Sequence, residues 1–166
     1  MTSRTLEVHL VKKRDWMIIT LLGLIHSSSH FFQLIIPTLF VYLNQDFGYD
    51  YVRVGFLVSC FYVVSGLGQA SSGFVVDNIG KAPVMLFGLG AFVVSACLLA
   101  LAPNYAVLVL APIIGGAGNS IFHPVDYTII NHRISTARLG HAYSVHGFTG
   151  YLGWAATPLF IDRKSV

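Results

Sequence analysis

Asn119, His123 and Asp126 lie within a hydrophobic run that extends from about 105 to 130. Their spacing is i, i+4 and i+7, which places all three on one face of a helix. An amide, an imidazole and a carboxylate on one face can hold a polar solute or pass a proton. Two further stripes have the same spacing. His26, His30, Gln33 and Pro37 stand at i, i+4, i+7 and i+11 in the apolar run from 16 to 43, with Ser27, Ser28 and Ser29 beside them. His146, Gly150, Gly153 and Thr157 share a face near the C-terminal end, followed by Pro158. Imidazole titrates near pH 6.5 when unperturbed, so small changes in its surroundings load or release a proton. His26, His30, Gln33, Asn119, His123, Asp126 and His146 are therefore expected to line one substrate or proton pathway. One of His30, His123, Asp126 or His146 is expected to carry a coupling proton. The competing reading for each histidine is a hydrogen-bonded packing role. For Asp126 it is an ion pair with Arg133 or Arg138 at the membrane surface.

The segments that must position these groups are read from composition. Of 166 residues, 55% are hydrophobic and only 10% are charged, and the mean hydropathy is +0.70. Soluble domains carry about 25% charged residues, so this chain belongs in a membrane. Five spans of all-α structure are expected, over 16–43, 54–76, 82–101, 105–130 and 141–161. Each reaches the roughly 20 residues needed to cross a bilayer. The first is too long for the apolar core of a cleaved leader. Residues 1–15 form a polar N-terminal segment and 162–166 a tail. Aspartate at mid-bilayer costs roughly 2.5–3.5 kcal/mol on insertion scales, so Asp126 must face protein or a wet cavity. Gly115, Gly116, Ala117 and Gly118 beside it allow close approach of a neighbouring helix. Gly66, Ala70 and Gly73 are expected to form a second packing face. The third span has no ionisable group and is assigned to scaffold or lipid contact.

The loops nearest the N-terminus in topology carry Arg4, Lys12, Lys13, Arg14, Lys81, Arg133 and Arg138, whereas the opposite loops carry only Arg53 before the tail. This bias places the N-terminus in the cytoplasm. A fifth span would put Arg163 and Lys164 outside, against that bias. The expectation is that the chain stops early or ends in a non-native tail. The net charge of +3 includes no long basic run, which gives no support to nucleic-acid binding. Cys60 and Cys97 form no CxxC pair and are read as small hydrophobes. No nucleophile elbow, metal-spaced carboxylates or phosphate loop is present, so no enzyme activity, metal or cofactor is expected.

Gly73, Asp77, Gly80 and Lys81 form G-x-x-x-D-x-x-G-K between the second and third spans. This resembles the conformational loop of the major facilitator superfamily, although Asn78 and Ala82 stand where the family usually has basic residues. Asp77 sits at the C-terminal end of its helix, where the dipole disfavours a negative charge, so a partner for it is expected. The histidine pair before Pro37, Phe122-His123-Pro124, Arg138-x-Gly140 and His146-Gly147-x-x-Gly150-x-x-Gly153 together resemble the fosmidomycin-resistance branch from about residue 20 to 160. The resemblance implies bacterial inner-membrane exporters built from two six-helix bundles, with the substrate path between them and proton-driven alternating access. On that reading this chain is an incomplete N-terminal bundle. Its partners are a small-molecule substrate, protons, the bilayer and a missing C-terminal half, and the fragment alone is expected to be inactive. Pro112 stands where many proton-coupled members have an arginine, so Asp126 with His123 is the substitute candidate. An importer or uniporter of the same fold, or a histidine-ligated haem protein, are the alternatives.

Overall fold

The computed structural model describes residues 3–162. Arg163 and Lys164 lie outside the described residues. Every described element is helical: α1 (Ser3–Thr38), α2 (Phe40–Phe47), α3 (Tyr51–Ile79), α4 (Lys81–Leu101), α5 (Tyr105–Asn119), α6 (Phe122–Arg133) and α7 (Leu139–Asp162), with a single 3₁₀ turn at Thr136–Arg138. The first two follow one another with only Leu39 between them, as do α5 and α6 with Ser120–Ile121 between them. The bundle therefore has five rods.

α1 is longer than the span expected from hydropathy. Its 36 residues extend about 54 Å at 1.5 Å per residue, against a hydrocarbon core of about 30 Å. The polar segment before Trp16 is the first part of this helix. Nothing breaks the ladder there, since residues 3–22 contain neither glycine nor proline. The expected loop from Asn44 to Arg53 shrinks to three residues. Gly48 adopts φ +66° and closes α2, with its N–H donating to Asn44 O at 3.0 Å and the Tyr49 N–H to Leu43 O at 3.1 Å. That double closure suits a residue without Cβ. Asp50 then caps α3, its Oδ1 accepting the Arg53 N–H at 2.9 Å.

The fourth rod is not the single helix read from the sequence. α5 ends at Asn119 and α6 begins at Phe122. The cause is Pro124, which has no N–H to donate and whose ring crowds the carbonyl four residues back, at Ser120. The ladder resumes on either side, with Ser120 N–H to Gly116 O at 3.0 Å and Val125 N–H to Ile121 O at 3.1 Å.

Small residues set the packing of α5. A Cβ on Gly116 would lie 2.5 Å from Phe61 O on α3. One on Gly118 would lie 2.8 Å from the Ala91 Cβ on α4, and one on Gly115 2.8 Å from Ser95 Oγ. Ser95 Oγ also donates to Ala111 O at 2.8 Å. The close approach expected of Gly115, Gly116 and Gly118 is thus realised against both α3 and α4. The face expected of Gly66, Ala70 and Gly73 is not. All three are exposed, and a Cβ on Gly66 or Gly73 would meet open space. The packing glycine of α3 is Gly68, where a Cβ would lie 2.7 Å from Ser120.

Phe92, Phe122, Val125 and Ile130 centre one buried apolar cluster, and Leu57, Val54 and Leu108 a second. The outside is equally apolar: Leu24, Leu67, Phe74, Leu86 and Phe148 are all more than half exposed. A surface of that kind is solvated by lipid tails rather than water. Among the described residues, four rods are long and apolar enough to cross a membrane, over Leu6–Phe47, Tyr51–Ile79, Lys81–Leu101 and Tyr105–Arg133. α7 has the length, at 24 residues, but interrupts its apolar sequence with the buried His146, Gly150, Gly153 and Thr157.

Candidate functional site

The polar stripes of α1 and α7 face one another. Gly150 and Gly153 allow this, because a Cβ on Gly150 would lie 3.1 Å from Nε2 of both His26 and His30. One on Gly153 would overlap the carbonyl oxygen of Ser27. Below them Thr157, fully buried, donates to Phe31 O at 3.1 Å. The helices cross where side chains are absent, and the histidines fill the gap that is left.

α6 closes the third side with His123 and Asp126. Asp126 is 0% exposed. His146 Nε2 donates to its Oδ2 at 3.1 Å, and His26 Nδ1 lies 3.4 Å from the same oxygen. The His26 and His146 rings stack with centroids 3.5 Å apart. His30 meets His26 edge-on at 4.5 Å, and His123 meets it edge-on at 5.0 Å. Four imidazoles and one carboxylate thus form a single cluster in the bundle interior. Asp126 pairs with these rings and not with Arg133 or Arg138. His26 Nδ1, His30 Nδ1 and Nε2, His123 Nδ1 and Asp126 Oδ1 are buried without a hydrogen-bond partner. His123 and His146 come to 5.9 Å between centroids.

A cavity of about 180 Å³ opens beside the cluster. His26, His30, His123 and His146 form its polar wall, and Tyr127, Tyr151 and Trp154 its aromatic one. Gln33 and Asn119 lie one step further along. Trp154 Nε1 donates to Gln33 Oε1 at 3.0 Å, Gln33 Nε2 to Asn119 Oδ1 at 3.4 Å, and Asn119 Nδ2 to Ser65 Oγ at 2.7 Å. Trp154 also packs on His30, with centroids 4.6 Å apart. All seven residues of the expected pathway therefore belong to one connected polar region. Asn119 reaches it from the end of α5 and not from a face continuous with His123. Trp154 and Ser65 join the network, while Thr157 bonds the backbone carbonyls of Phe31 and Gly153 beside it. The i, i+4, i+7, i+11 pattern pointed to Thr157, but nothing marked Trp154 apart from other aromatics.

A second polar hub was not legible in the sequence. Asp15 is 0% exposed. Its Oδ2 accepts from the Ser135 N–H at 3.2 Å, Ser135 Oγ at 2.6 Å and Arg138 Nε at 3.0 Å. Arg14 donates to Asp15 Oδ1 at 3.3 Å and to Arg133 O at 3.2 Å. These bonds tie the first half of α1 to the turn between α6 and α7. Asp15→Ala is expected to destabilise the chain by about 1–3 kcal/mol, because a buried N–H and a guanidinium lose their acceptor. Arg14→Ala is expected to change stability by less than about 1 kcal/mol, since that side chain is 54% exposed. Thermal unfolding of the purified variants in one detergent checks both.

The loop residues Gly73, Asp77, Gly80 and Lys81 lie apart from the histidine cluster, at the α3–α4 junction. Gly80 alone separates the two helices and adopts φ +96°, a backbone state reserved for glycine. Asp77 is exposed on the last turn of α3. Asn78 Nδ2 bonds back to Phe74 O at 2.8 Å.

The chain is thus a multi-pass membrane bundle with a buried ionisable cluster beside a cavity. The chain belongs to the Major Facilitator Superfamily, whose family model matches residues 20–161. It is 26% identical over 142 residues to the uncharacterized MFS-type transporter YfnC of Bacillus subtilis, covering 86% of this chain and 34% of that protein. It is 26% identical over 138 residues to the fosmidomycin resistance protein of Escherichia coli, covering 83% and 34%. A shorter match, 34% identical over 91 residues, covers 55% of this chain and 23% of the quinolone resistance protein NorA of Staphylococcus aureus. The chain thus spans about a third of the length of the first curated relatives it matches.

Proposed function

We propose that this segment forms most of the N-terminal bundle of a secondary transporter that exports a small organic solute by alternating access, in exchange for protons. The observation that carries the reading is the buried Asp126 with its shell of imidazoles, placed beside a cavity in a membrane bundle. Ionisable groups at that depth are costly in lipid and belong to solute or ion pathways. The names of two relatives, resistance to fosmidomycin and to quinolones, support export of drug-like compounds. His26, His30, Gln33, Asn119, His123, Asp126 and His146 then line the path, with protons and solute meeting at the cluster. The cavity would open toward a C-terminal half, which completes the path. The loop of Gly73, Asp77, Gly80 and Lys81 acts as the conformational element at the cytoplasmic face. Gly80 supplies its hinge, and the membrane is the bacterial inner membrane with the N-terminus inside.

The test uses a chimaera in which this segment replaces the first third of a full-length relative. In inside-out vesicles, solute accumulation is expected to follow an imposed proton gradient and to stop when an ionophore collapses it. Accumulation that ignores the gradient would remove protons from the mechanism.

A further inference from the structure

We propose that His26, His30 and His123 form a three-imidazole site for a divalent transition-metal ion of the zinc class. Asp126 is the outer partner of His26 in this site. The inference goes beyond the transport reading and holds whether or not that reading does.

One ring nitrogen from each of the three histidines lies within 4.8 Å of the other two. A tetrahedral zinc ion with Zn–N of about 2.0–2.1 Å requires nitrogens about 3.3 Å apart. The ion would draw the rings together over that remaining gap by side-chain rotation. His26 and His30 are one turn apart on α1, the i, i+4 spacing with which two histidines reach one ion from a single helix. His123 comes from α6 and faces both. The Nε2 atoms of His26 and His30 converge over Gly150, where a Cβ would lie 3.1 Å from each.

The unmet hydrogen-bonding capacity points the same way. Both ring nitrogens of His30 and Nδ1 of His123 are buried without a partner. Buried polar atoms are rarely left so, and a coordinated ion would take up one nitrogen of each ring. His26 is 2% exposed and turns Nδ1 toward Asp126 Oδ2 at 3.4 Å. That nitrogen makes no hydrogen bond, and Asp126 is the nearby carboxylate to which a metal-bound histidine would turn it. The other available trio, His26, Asp126 and His146, is already closed by the hydrogen bond from His146 to Asp126. The donor set also fixes the class of ion. Three imidazoles suit zinc, copper or nickel, whereas calcium and magnesium take oxygen ligands. The adjoining cavity of about 180 Å³ has room for several waters at about 30 Å³ each. The fourth position is therefore left to water or an exchangeable ligand.

The 166-residue chain, purified without a polyhistidine tag and stripped with a chelator, is titrated with Co²⁺ and then Zn²⁺ in detergent. One Co²⁺ per chain is expected, giving a visible absorption band of low-symmetry nitrogen coordination that Zn²⁺ abolishes. His30→Gln or His123→Gln should weaken binding by more than the roughly 10–100-fold expected for Asp126→Asn, which removes only an outer partner. His132→Gln, an exposed histidine, should leave it unchanged. Pulsed electron paramagnetic resonance of the Cu²⁺-loaded native chain counts coordinated imidazoles independently of any variant, and three are expected. No saturable binding, an imidazole count below three, or binding that survives both His30→Gln and His123→Gln overturns the proposal. So does loss confined to Asp126→Asn, which would put the ion on the other trio.

Discussion

Gly153→Ala is expected to destabilise the bundle by about 2 kcal/mol or more and to spread α1 from α7. The new Cβ would overlap Ser27 O and lie 3.0 Å from His30 Cβ. One neighbour is backbone and the other is the first atom of a side chain, so neither can rotate away. Overpacking of this kind costs about 1–3 kcal/mol and occasionally more. Replacing a helical glycine by alanine returns about 0.8–1.0 kcal/mol, so the steric term wins. The histidine cluster should loosen with it, because its rings fill the space between these two helices. Gly66→Ala and Gly73→Ala supply the opposite sign. A Cβ there meets open space, so only the propensity gain of about 0.8–1.0 kcal/mol remains. Unfolding free energies of the three variants in one detergent decide the matter. A Gly153→Ala protein as stable as the parent would mean that α1 and α7 do not cross at this point.

Asp126 should separate stability from exchange. Asp126→Leu removes the acceptor of His146, 3.1 Å away, and the carboxylate that His26 Nδ1 approaches to 3.4 Å without a hydrogen bond. The His146 nitrogen stranded in the interior costs about 1–3 kcal/mol, which is the loss expected. Asp126→Asn keeps the shape and one acceptor, and should therefore cost less stability than Asp126→Leu. It removes the charge, and a hydrogen bond to a charged group is worth about 1.5–3 kcal/mol. At 1.36 kcal/mol per tenfold, that corresponds to roughly a ten- to hundred-fold fall in proton-driven exchange by the chimaera. Full exchange in a stable Asp126→Asn protein would make the carboxylate a packing group.

Composition already placed the chain in a membrane, because with 10% charged residues it cannot clothe a water-facing surface. Spacing placed His26, His30 and Gln33 on one face of their helix, and His146, Gly150, Gly153 and Thr157 on one face of theirs. Both faces turned inward, since polar groups in lipid have nowhere else to go. The G-x-x-x-D-x-x-G-K turn identified the α3–α4 junction, where Gly80 takes the positive φ that only glycine holds comfortably.

The tertiary structure decided which stripes meet. Periodicity reports the face of a helix but not the helix that covers it. In a bilayer, where inside and outside are both apolar, hydropathy cannot supply that missing direction. The small-residue face of Gly66, Ala70 and Gly73 therefore looked like a packing seam and is open, while Gly68 beside it makes the contact. Asp15 looked like one charge among several in a polar segment. It is buried because a turn 120 residues later folds back onto it. Asp126 had two arginines nearby in sequence but sits against imidazoles from α1 and α7, bonded to His146 and 3.4 Å from His26.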